Sequence, residues 1–518
     1  MNLTLENSFA LQLAGLYAPW KPEGFAAPSL LVFNDALAAE LGLPQLEESD
    51  VLALTTGNEL PSGAQSLAQA YAGHQFGSFS PELGDGRALL LGEWVTPAGQ
   101  RVDLQLKGSG RTPFSRRGDG KAAIGPVLRE YLISEAMYHL GVPTTRVLAA
   151  ASTGETIVRE TLLPGAVLVR TGASHLRVGT LEYFAARGHR KKLSRLVAYA
   201  VIRHYCTPEM LPLCSDVLNH EGSEEAAPWV NPAVARHLLF SVAKSQAALI
   251  AQWMLVGFVH GVMNTDNSTL SGETIDYGPC AFLDQYGAGA VFSSIDHGGR
   301  YAFGNQPHIG KWNLARMGEA LLRLLSDDRE QAVQIVHEAL ELYQSQFDAQ
   351  YLKGMRAKLG LSAADADQNG SNAEMDQQLV VDFLAWLEGA GEDFTGAFRR
   401  LATGVRENTS PFEGPTFAAW YKRLLGQLRS TPETGPSDES HHHHLGRVAA
   451  EMDRVNPIYI PRNHLVEAAL SAAADQDMDP FLDLCRVLRR PFDEQPGKFE
   501  YSQPAPAEFG NYRTFCGT

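Results

Sequence analysis

The chain has 518 residues, 44% of them hydrophobic and 20% charged, a composition typical of a globular protein large enough for two or more packed parts. Acidic side chains outnumber basic ones by 59 to 43, and the net charge of −16 argues against nucleic acid or an anionic membrane as a partner. The N-terminal residues combine an acidic Glu6 with no basic segment and no long apolar run, so we expect no targeting peptide.

The cysteines, at positions 206, 214, 280, 485 and 516, form no CxxC motif and are too sparse for a disulfide framework, which favours a reducing compartment. The longest apolar segment, residues 247–259, is shorter than the roughly 20 residues of a membrane span, so we predict a core helix there. We therefore expect a cytoplasmic, monomeric protein that contacts neither membrane nor nucleic acid.

Residues 1–70 mix short helical signals with loops, and we predict an N-terminal extension there. Alternating apolar segments and glycine-rich turns then predict a strand-rich part over residues 71–171. Its predicted elements are strands at 88–95 and 101–107, a basic glycine-rich loop at 108–120, a helix from Pro126 to about Leu140, and strands at 156–160 and 167–171.

The remaining chain is mainly helical, and we predict a helical part over residues 172–430 and a C-terminal segment over 431–518. Asn231 and Pro232 are typical of an N-cap and a first-turn proline, which predicts a long helix through Val259. Further helices are predicted at 312–325, 328–353, 379–388 and 394–401, with polar loops at 362–377 and 431–446.

The long helix leads directly into residues 260–278, HGVMNTDNSTLSGETIDYG. The pattern of residues 269–275 predicts a hairpin that brings Asn267 and Asp276 to one end. Amide and carboxylate oxygens are ligands that Mg²⁺ takes when a nucleotide also binds it, so this pair predicts a metal site. The alternative interpretation is a polar hairpin closed by an Asx turn.

Lys107 ends a predicted strand and precedes a helix that carries Glu130 and Glu135. In protein kinases a strand lysine pairs with a helix glutamate and contacts phosphate oxygens, whereas a solvated strand-end lysine is the alternative here. The helix has no clean polar face, so periodicity does not choose between the two glutamates. The order of these parts predicts an α+β, bilobal, protein-kinase-like fold with a strand-rich N-lobe and a helical C-lobe.

Cations accompany the glycine-rich loops, namely Arg111, Arg116, Arg117, Lys121, Arg170 and Arg177. In a chain of net charge −16 this set favours a polyanion site, because guanidinium groups match phosphate geometry. Scattered surface arginines are the alternative. The turn at residues 84–87, GDGR, would allow a nucleotide to approach the backbone, although a hairpin turn explains it equally well.

Asp266 stands directly before Asn267, whereas the base of a kinase H-R-D-x-x-x-x-N loop lies five residues before the metal-binding Asn. Adjacent side chains generally point in different directions, so we predict that Asp266 faces a substrate hydroxyl and Asn267 a metal. The tract His441–His444 resembles a metal-binding motif, but its polar surroundings favour a solvated run. Motifs of serine hydrolases and zinc proteases are absent from the sequence.

These segments resemble the selenoprotein O family, whose members are atypical kinase-fold protein adenylyltransferases. The motifs that carry the resemblance are LQLKGSGRTPFSRRGDGKA, VLREYLISEAMYHLGVPTTR, VRTGASHLRVGTLEYFA, HGVMNTDN, IDYGPCAFLDQY, RVNPIYIPRN and the cysteine near the C-terminus. They cover most of the chain, except for residues 1–60 and the predicted loops at 362–377 and 431–446.

The resemblance implies transfer of AMP from ATP to Ser, Thr or Tyr hydroxyls of target proteins, with Mg²⁺ as the metal, Mn²⁺ as its alternative, and ATP flipped relative to an ordinary kinase. By the resemblance, Glu130 would pair with Lys107, Asp266 would accept the proton, and Asn267 and Asp276 would bind the metal. Nucleotide contacts would come from Gly84, Gly86, Arg87, Lys107, Asp119, Gly120, Arg170, Arg177 and Asp276.

Three other functions stay open from the sequence, namely UMP transfer from UTP with Mn²⁺, γ-phosphoryl transfer, and a non-catalytic nucleotide-binding scaffold. Some members of the family carry selenocysteine where this chain has Cys516. The resemblance therefore implies a redox role, such as a reversible disulfide between Cys280 and Cys516, with two free thiols as the alternative.

Overall fold

The computed structural model describes residues 1–220, 228–361, 370–429 and 438–515. The fold is mixed α/β, with a strand-rich N-terminal region followed by many helices. The strands are β1 (Tyr17–Pro19), β2 (Ser29–Phe33), β3 (Leu67–Gln69), β4 (Gly73–Gln75), β5 (Ser78–Ser80), β6 (Ala88–Val95), β7 (Arg101–Lys107), β8 (Ala122–Ala123), β9 (Arg146–Val158), β10 (Leu162–Gly172), β11 (Phe258–Val259) and β12 (Ala281–Phe282).

The helices of the described residues flank these strands and make up most of the chain after residue 177. They are α1 (Ser8–Gln12), α2 (Asp35–Glu40), α3 (Glu48–Thr56), α4 (Ile124–His139), α5 (Val178–Ala186), α6 (Arg190–His204), α7 (Met210–Leu218), α8 (Pro232–Val256), α9 (Gln306–Leu325), α10 (Arg329–Lys358), α11 (Gly370–Ala390), α12 (Phe394–Glu407), α13 (Pro415–Arg429), α14 (Asp438–Val455), α15 (Asn463–Ala474) and α16 (Asp479–Leu488).

One antiparallel sheet organises the N-terminal region, with the strand order β1-β3-β6-β7-β10-β9-β2 and β8 paired to β10. The strands predicted at 88–95 and 101–107 are confirmed as β6 and β7. The strands predicted at 156–160 and 167–171 overlap the much longer β9 and β10, and the turn between these two strands begins after Val158. In this register Lys107 lies opposite Leu168, at the end of β7.

The sheet separates two cores, because successive side chains of a strand point to opposite faces. On β6, Leu89 and Leu91 enter a small core with residues of the N-terminal segment, whereas Leu90 enters the large core that also contains α4. Residues 1–70, which we predicted to be an N-terminal extension, pack onto this sheet. They contribute β1, β2 and β3 to the sheet and cover one of its faces.

The long helix α8 begins as predicted, because the Asn231 side chain accepts a hydrogen bond from the N–H of Ala233 at 2.9 Å. It ends at Val256 rather than at Val259, because Gly257 takes a left-handed φ of 73° that terminates the helix. Among the described residues, α8 alone is long and apolar enough to cross a membrane, and 56% of its most apolar window is buried inside the protein.

The helices predicted at 312–325, 379–388 and 394–401 lie within the longer helices α9, α11 and α12. The helix predicted at 328–353 is α10, which begins after its N-cap Asp328. The polar loop predicted at 362–377 is wrong at its C-terminal end, because α11 begins at Gly370 and its polar first turns are helical. Residues 362–369 lie outside the described residues.

The second predicted loop, at 431–446, is also wrong where the structure describes it, since α14 begins at Asp438. The His441–His444 tract is thus helical rather than part of a loop. His442 and His443 are exposed, whereas His444 is buried with its Nε2 3.0 Å from the backbone oxygen of Leu428. No group of three or more side chains suited to a metal ion forms among the described residues.

Arg462 ties the C-terminal segment to the helical part of the chain. Its fully buried guanidinium lies 2.7 Å from Asp284, 2.5 Å from Asp393 and 2.8 Å from the backbone oxygen of Ser502. Asp393 is also the N-cap of α12, and Asp284 follows β12. One buried cation therefore holds three distant segments together.

We expect Arg462→Leu to lower the free energy of unfolding by about 3 kcal/mol, because two largely buried carboxylates would lose their partner. Urea denaturation followed by circular dichroism measures the change. Arg454→Leu is the matched control, since the Arg454 side chain is 72% exposed and pairs with Glu451 on the same helix, and its loss should stay below about 1 kcal/mol. Equal losses in the two variants would contradict the role given to Arg462.

Candidate active site

Residues 260–280 form a loop that is closed at its base by the pairing of β11 with β12. The hairpin predicted within it is wrong, because Thr269 and Thr274 pair with other segments. Thr269 bridges to Arg177, and Thr274 bridges to Thr144. A local turn remains, in which the Thr269 hydroxyl donates to the backbone oxygen of Glu273 at 2.6 Å. The loop is thus held by the segments that flank it in space.

Lys107 lies at the centre of an ion cluster that is buried except at Asp276, whose side chain is 34% exposed. Its Nζ is 2.5 Å from Oε2 of Glu130 on α4 and 2.8 Å from Oδ1 of Asp276 in the loop. Arg170 on β10 lies 3.1 Å from the other oxygen of Glu130. Glu135 instead pairs with Arg146, at 2.7 Å, so the two glutamates of α4 serve different partners.

Both carboxylates of this cluster are held in their ionised form. Burial alone would raise the pKa of Glu130, but Lys107 and Arg170 outweigh it and lower that pKa. Burial is likewise outweighed at Asp276, where Lys107 and Arg87 hold the pKa well below its usual range. Asp276 also has a left-handed φ of 66°, which is unusual for a residue other than glycine and is often found at functional sites.

Arg177 forms a second buried cluster beside the first. Its guanidinium lies 3.1 Å from the backbone oxygen of Asp266 and 3.6 Å from Oδ1 of Asp85. Asp85 also accepts a hydrogen bond from Gln105 at 3.2 Å, and Gln105 in turn accepts one from Arg170 at 2.5 Å. A polar chain therefore connects Arg177 with the Lys107 cluster.

Asp266 lies in a short 3-10 turn, Thr265–Asn267, and is 8% exposed. Its Oδ2 accepts a hydrogen bond from Nε2 of Gln75 at 3.2 Å, whereas its buried Oδ1 has no partner among the described residues. Burial raises the pKa of Asp266 to about 6, against the lowering effect of Arg177. This carboxylate therefore has a free acceptor oxygen and a raised basicity, as a proton acceptor needs.

The donor set suits a divalent metal beside phosphates. Nδ2 of Asn267 donates to the backbone oxygen of Val262 at 3.0 Å, so Oδ1 is the atom of this side chain that would bind a metal. Together with the carboxylate of Asp276, this offers two hard oxygen ligands. Since the described residues provide no group of three metal-binding side chains, the phosphates of a nucleotide and water would complete the coordination.

The glycine-rich loop at 108–120 packs on the GDGR turn. The hydroxyl of Thr112 donates to the backbone oxygen of Asp85 at 2.6 Å, and that of Ser115 donates to the backbone oxygen of Gly86. Gly84, with a φ of 81°, lies against the ring of Phe114 so closely that a side chain would collide with it. These contacts place the two glycine-rich segments next to each other.

Asp119 and Gly120 have local roles in this loop. Arg159 holds the carboxylate of Asp119 through two hydrogen bonds, of 2.8 Å and 3.0 Å, and thereby lowers its pKa. Gly120 has a φ of 70°, and a Cβ there would lie 2.0 Å from the backbone oxygen of Gly110. The structure therefore shows why this turn needs glycine.

The six predicted cations do not form one cluster. Arg170 and Arg177 are buried at the site, and Lys121 pairs with Glu155 at 2.6 Å. Arg111, Arg116 and Arg117 are exposed on the loop. Sequence reasoning also missed Gln75, Asp85 and Gln105, because their spacing is that of ordinary strands and turns and their roles come from contacts with distant segments.

Cys280 lies four residues after Asp276 and is buried, with 1% of its surface exposed. Burial raises the pKa of its thiol to about 12. Its predicted partner Cys516 lies outside the described residues. The chain nevertheless approaches this cysteine at Thr514, whose hydroxyl donates to the backbone oxygen of Pro279 at 2.9 Å.

The two glutamates of α4 offer a matched pair of variants. We expect Glu130→Gln to weaken the binding of ATP with Mg²⁺ by about tenfold or more, because Lys107 and Arg170 lose the anion that orients them. Glu135→Gln changes only the pair with Arg146 and should leave the affinity within about twofold. Isothermal titration calorimetry measures both, and equal losses would argue against a distinct role for Glu130.

Comparison with known proteins shows the family of this chain. The family model of the protein adenylyltransferase SelO matches residues 1–489. A protein nucleotidyltransferase YdiU of Cereibacter sphaeroides is 49% identical and covers 100% of both chains. Similar relatives occur in Mycolicibacterium paratuberculosis, 48% identical over 100% of this chain and 98% of the relative, and in Rhizobium etli, 48% identical over 99% and 97%. The chain therefore belongs to the SelO family of nucleotidyltransferases.

Proposed function

We propose that this enzyme transfers AMP from ATP to Ser, Thr or Tyr hydroxyls of target proteins. The observation that carries the proposal is the pairing of two clusters, in which Asp266 keeps a free acceptor oxygen next to the ion cluster of Lys107, Glu130 and Asp276. A strand lysine paired with a helix glutamate also favours a bilobal, kinase-like arrangement. The matching family is that of an adenylyltransferase, which supports ATP as the donor.

In the proposed reaction, the carboxylate of Asp266 accepts the proton of the target hydroxyl as the hydroxyl oxygen attacks the α-phosphorus of ATP. A new oxygen–phosphorus bond forms, and the bond between the α-phosphorus and the bridging oxygen breaks to release pyrophosphate. Lys107, Arg87 and Arg170 offset the charge that grows on the leaving group. Asn267 and Asp276 would hold Mg²⁺, which when bound neutralises phosphate charge.

The position of the base supports an attack of the hydroxyl on a phosphate other than the γ-phosphate. Asp266 and Asn267 are contiguous, whereas the corresponding residues of a kinase loop are five apart. Asp266 contacts Gln75, while Asn267 contacts Val262, so the two side chains engage different surroundings. A nucleotide in a flipped orientation would bring its α-phosphate to the base and its outer phosphates to the cations.

Labelled ATP tests the proposal directly. We expect radioactive label from the α-phosphate, and not from the γ-phosphate, to reach protein when Mg²⁺ is present, and chelation of the metal by EDTA should stop the transfer.

Asp266→Asn should lower the transfer rate by roughly 10²-fold or more, because general-base catalysis contributes about that much. Asp276→Ala should abolish both transfer and metal-dependent ATP binding. Asp382→Asn, on α11, is the control and should behave like the unchanged enzyme.

Each alternative function predicts a different result of this assay. Label that arrives only from the γ-phosphate would establish a kinase. If the unchanged protein transfers neither label and Asp276→Ala leaves every measurable function intact, a non-catalytic nucleotide-binding scaffold would be favoured. Unlabelled UTP with Mn²⁺ that competes better than ATP would favour UMP transfer.

The C-terminal contact favours a redox role as well, and we infer that Cys280 and Cys516 form a reversible disulfide. Thr514, two residues before Cys516, bonds to Pro279, the residue before Cys280. In this step the two thiols would lose two electrons and two protons to an external disulfide, and a dithiol reductant would return them. The raised pKa of the buried Cys280 thiol predicts slow exchange.

Mass spectrometry of the oxidised and reduced enzyme tests this disulfide. We expect a cross-linked peptide that contains both cysteines in the oxidised sample, together with a change in α-label transfer upon reduction. Cys280→Ser should remove that response, whereas Cys206→Ser, at an exposed free cysteine, should keep it. Absence of the cross-linked peptide after oxidation would exclude the disulfide.

A further inference from the structure

The hairpin formed by β4 and β5 lies directly beside the proposed base. Its two-residue turn consists of Phe76, with a φ of 50°, and Gly77, with a φ of 86°. Turns with two left-handed residues normally contain Asn, Asp or Gly, because these residues tolerate positive φ. An aromatic residue at this position is unfavourable for the backbone, and yet Phe76 is 38% exposed, with its ring 5.1 Å from the ring of the buried Tyr301. The hairpin therefore carries a partly exposed ring at a turn position that favours other residues.

Contacts with residues 264–266, which we call the catalytic segment, hold this turn in place. The N–H of His74 donates to the hydroxyl of Thr265 at 2.7 Å, and Gln75 donates to Asp266 at 3.2 Å. The N–H of Phe76 donates to Oδ1 of Asn264 at 3.1 Å. Three successive hairpin residues are thus bonded to three successive residues of the catalytic segment. The position of the exposed ring is therefore fixed relative to the base.

The side chain of Arg300 stands at the tip of the hairpin. The carbon of its guanidinium lies 4.7 Å from the centre of the Trp312 ring, and a Cβ at Gly77 would lie 3.6 Å from the same atom. No salt bridge joins the guanidinium of Arg300 to a carboxylate among the described residues, and its buried Nε has no hydrogen-bond partner there, although the backbone N–H of Arg300 donates to Oδ1 of Asp296 at 2.9 Å. Arg316, which also stacks on Trp312, differs because it pairs with Glu319 at 2.8 Å.

These side chains form one surface, which we define as the hairpin surface and which consists of Phe76, Phe79, Arg300 and Trp312. Phe79 is 42% exposed, and the ring of His74 packs against both Phe79 and Trp312. In the part of the chain that the structure describes, β5 pairs with β4 alone, so its outer edge is free to meet an extended segment. Exposed aromatic rings with an unpaired arginine are typical of the centre of a binding interface.

We propose that the hairpin surface docks the target protein through an extended, acidic segment next to the acceptor hydroxyl. An apolar side chain of that segment packs on Phe76 and Phe79, and a neighbouring Asp or Glu pairs with Arg300. The net charge of −16 would by itself attract basic segments, so Arg300 supplies selection for an acidic residue at one position. The proposal rests on the proposed function, since it assigns the class of substrate that the same site modifies.

An array of synthetic peptides tests the docking without any need for transfer. Each peptide carries one Ser, Thr or Tyr. One flanking position is varied among Asp, Lys and a neutral residue, and a second is varied between Leu and Gly, and both are moved along the peptide. The full-length protein carries a fluorescent label, and binding is read on the array. We expect peptides with Asp and Leu to bind about tenfold better than those with Lys and Gly. Arg300→Glu should reverse the charge preference.

Phe76→Asn separates docking from folding, because Asn takes the left-handed turn more readily than Phe. We expect the gain at the turn to offset the lost contact of the Phe76 ring with Tyr301, so that thermal stability and the affinity for ATP stay unchanged, whereas the acidic peptides bind about tenfold more weakly. Phe499→Ala is the control, since Phe499 is 75% exposed on another surface. Absence of an acidic preference, or the same preference after Arg300→Glu, would overturn the proposal.

Transfer of α-label to the best-bound peptides separates this proposal from the proposed function. Docking that responds to Arg300→Glu without any label transfer would refute AMP transfer and retain the docking surface. Transfer that shows no dependence on Phe76 or Arg300 would retain AMP transfer and refute the docking surface. With both proposals correct, the two variants should raise KM for the peptide and leave the affinity for ATP unchanged.

Discussion

The ammonium group of Lys107 forms the interaction on which the site depends, since it joins three parts of the chain. Lys107 is the last residue of β7, and its ammonium group contacts Glu130 on α4 and Asp276 in the loop that β11 and β12 close. Removing ions from water costs several kcal/mol each, so the members of such a cluster are stable only together. The sheet, the helix and the loop are therefore held in one geometry by charges that none of them would bury alone.

This cluster also explains how a nucleotide would be accommodated. Lys107 and Arg170 already face Glu130 and Asp276, so their charge is largely neutralised before any phosphate arrives. Phosphates would add negative charge to a balanced site. A divalent metal on Asp276 and Asn267 would restore the balance, because it offsets that carboxylate and leaves Lys107 free to contact a phosphate oxygen. The pairing of these charges therefore favours a divalent metal as the partner of a bound nucleotide.

The sequence predicted the elements with strong local signals and missed those that depend on distant partners. Asn231, Pro232 and the apolar strands are such local signals, and α8, β6 and β7 were found from them. By contrast, the short strands β1 and β2 exist because they pair with β3 and β9. Periodicity reports burial, and both Glu130 and Glu135 are buried, so only the positions of Lys107 and Arg146 distinguish them. For the same reason the sequence did not reveal Asp85 or Gln75.

The contiguity of Asp266 and Asn267 was the sequence feature furthest from a kinase, and the structure gives it a physical basis. The 3-10 turn directs the Asp266 carboxylate toward Gln75 of the hairpin and the Asn267 amide toward Val262. The contact of the hairpin with Asp266 requires glycine at position 73, because a Cβ there would lie 2.7 Å from Oδ1 of Asp266. The hairpin thus covers the base with backbone and one amide. Because Oδ1 is buried beneath this backbone, a target hydroxyl reaches that atom only if the hairpin shifts.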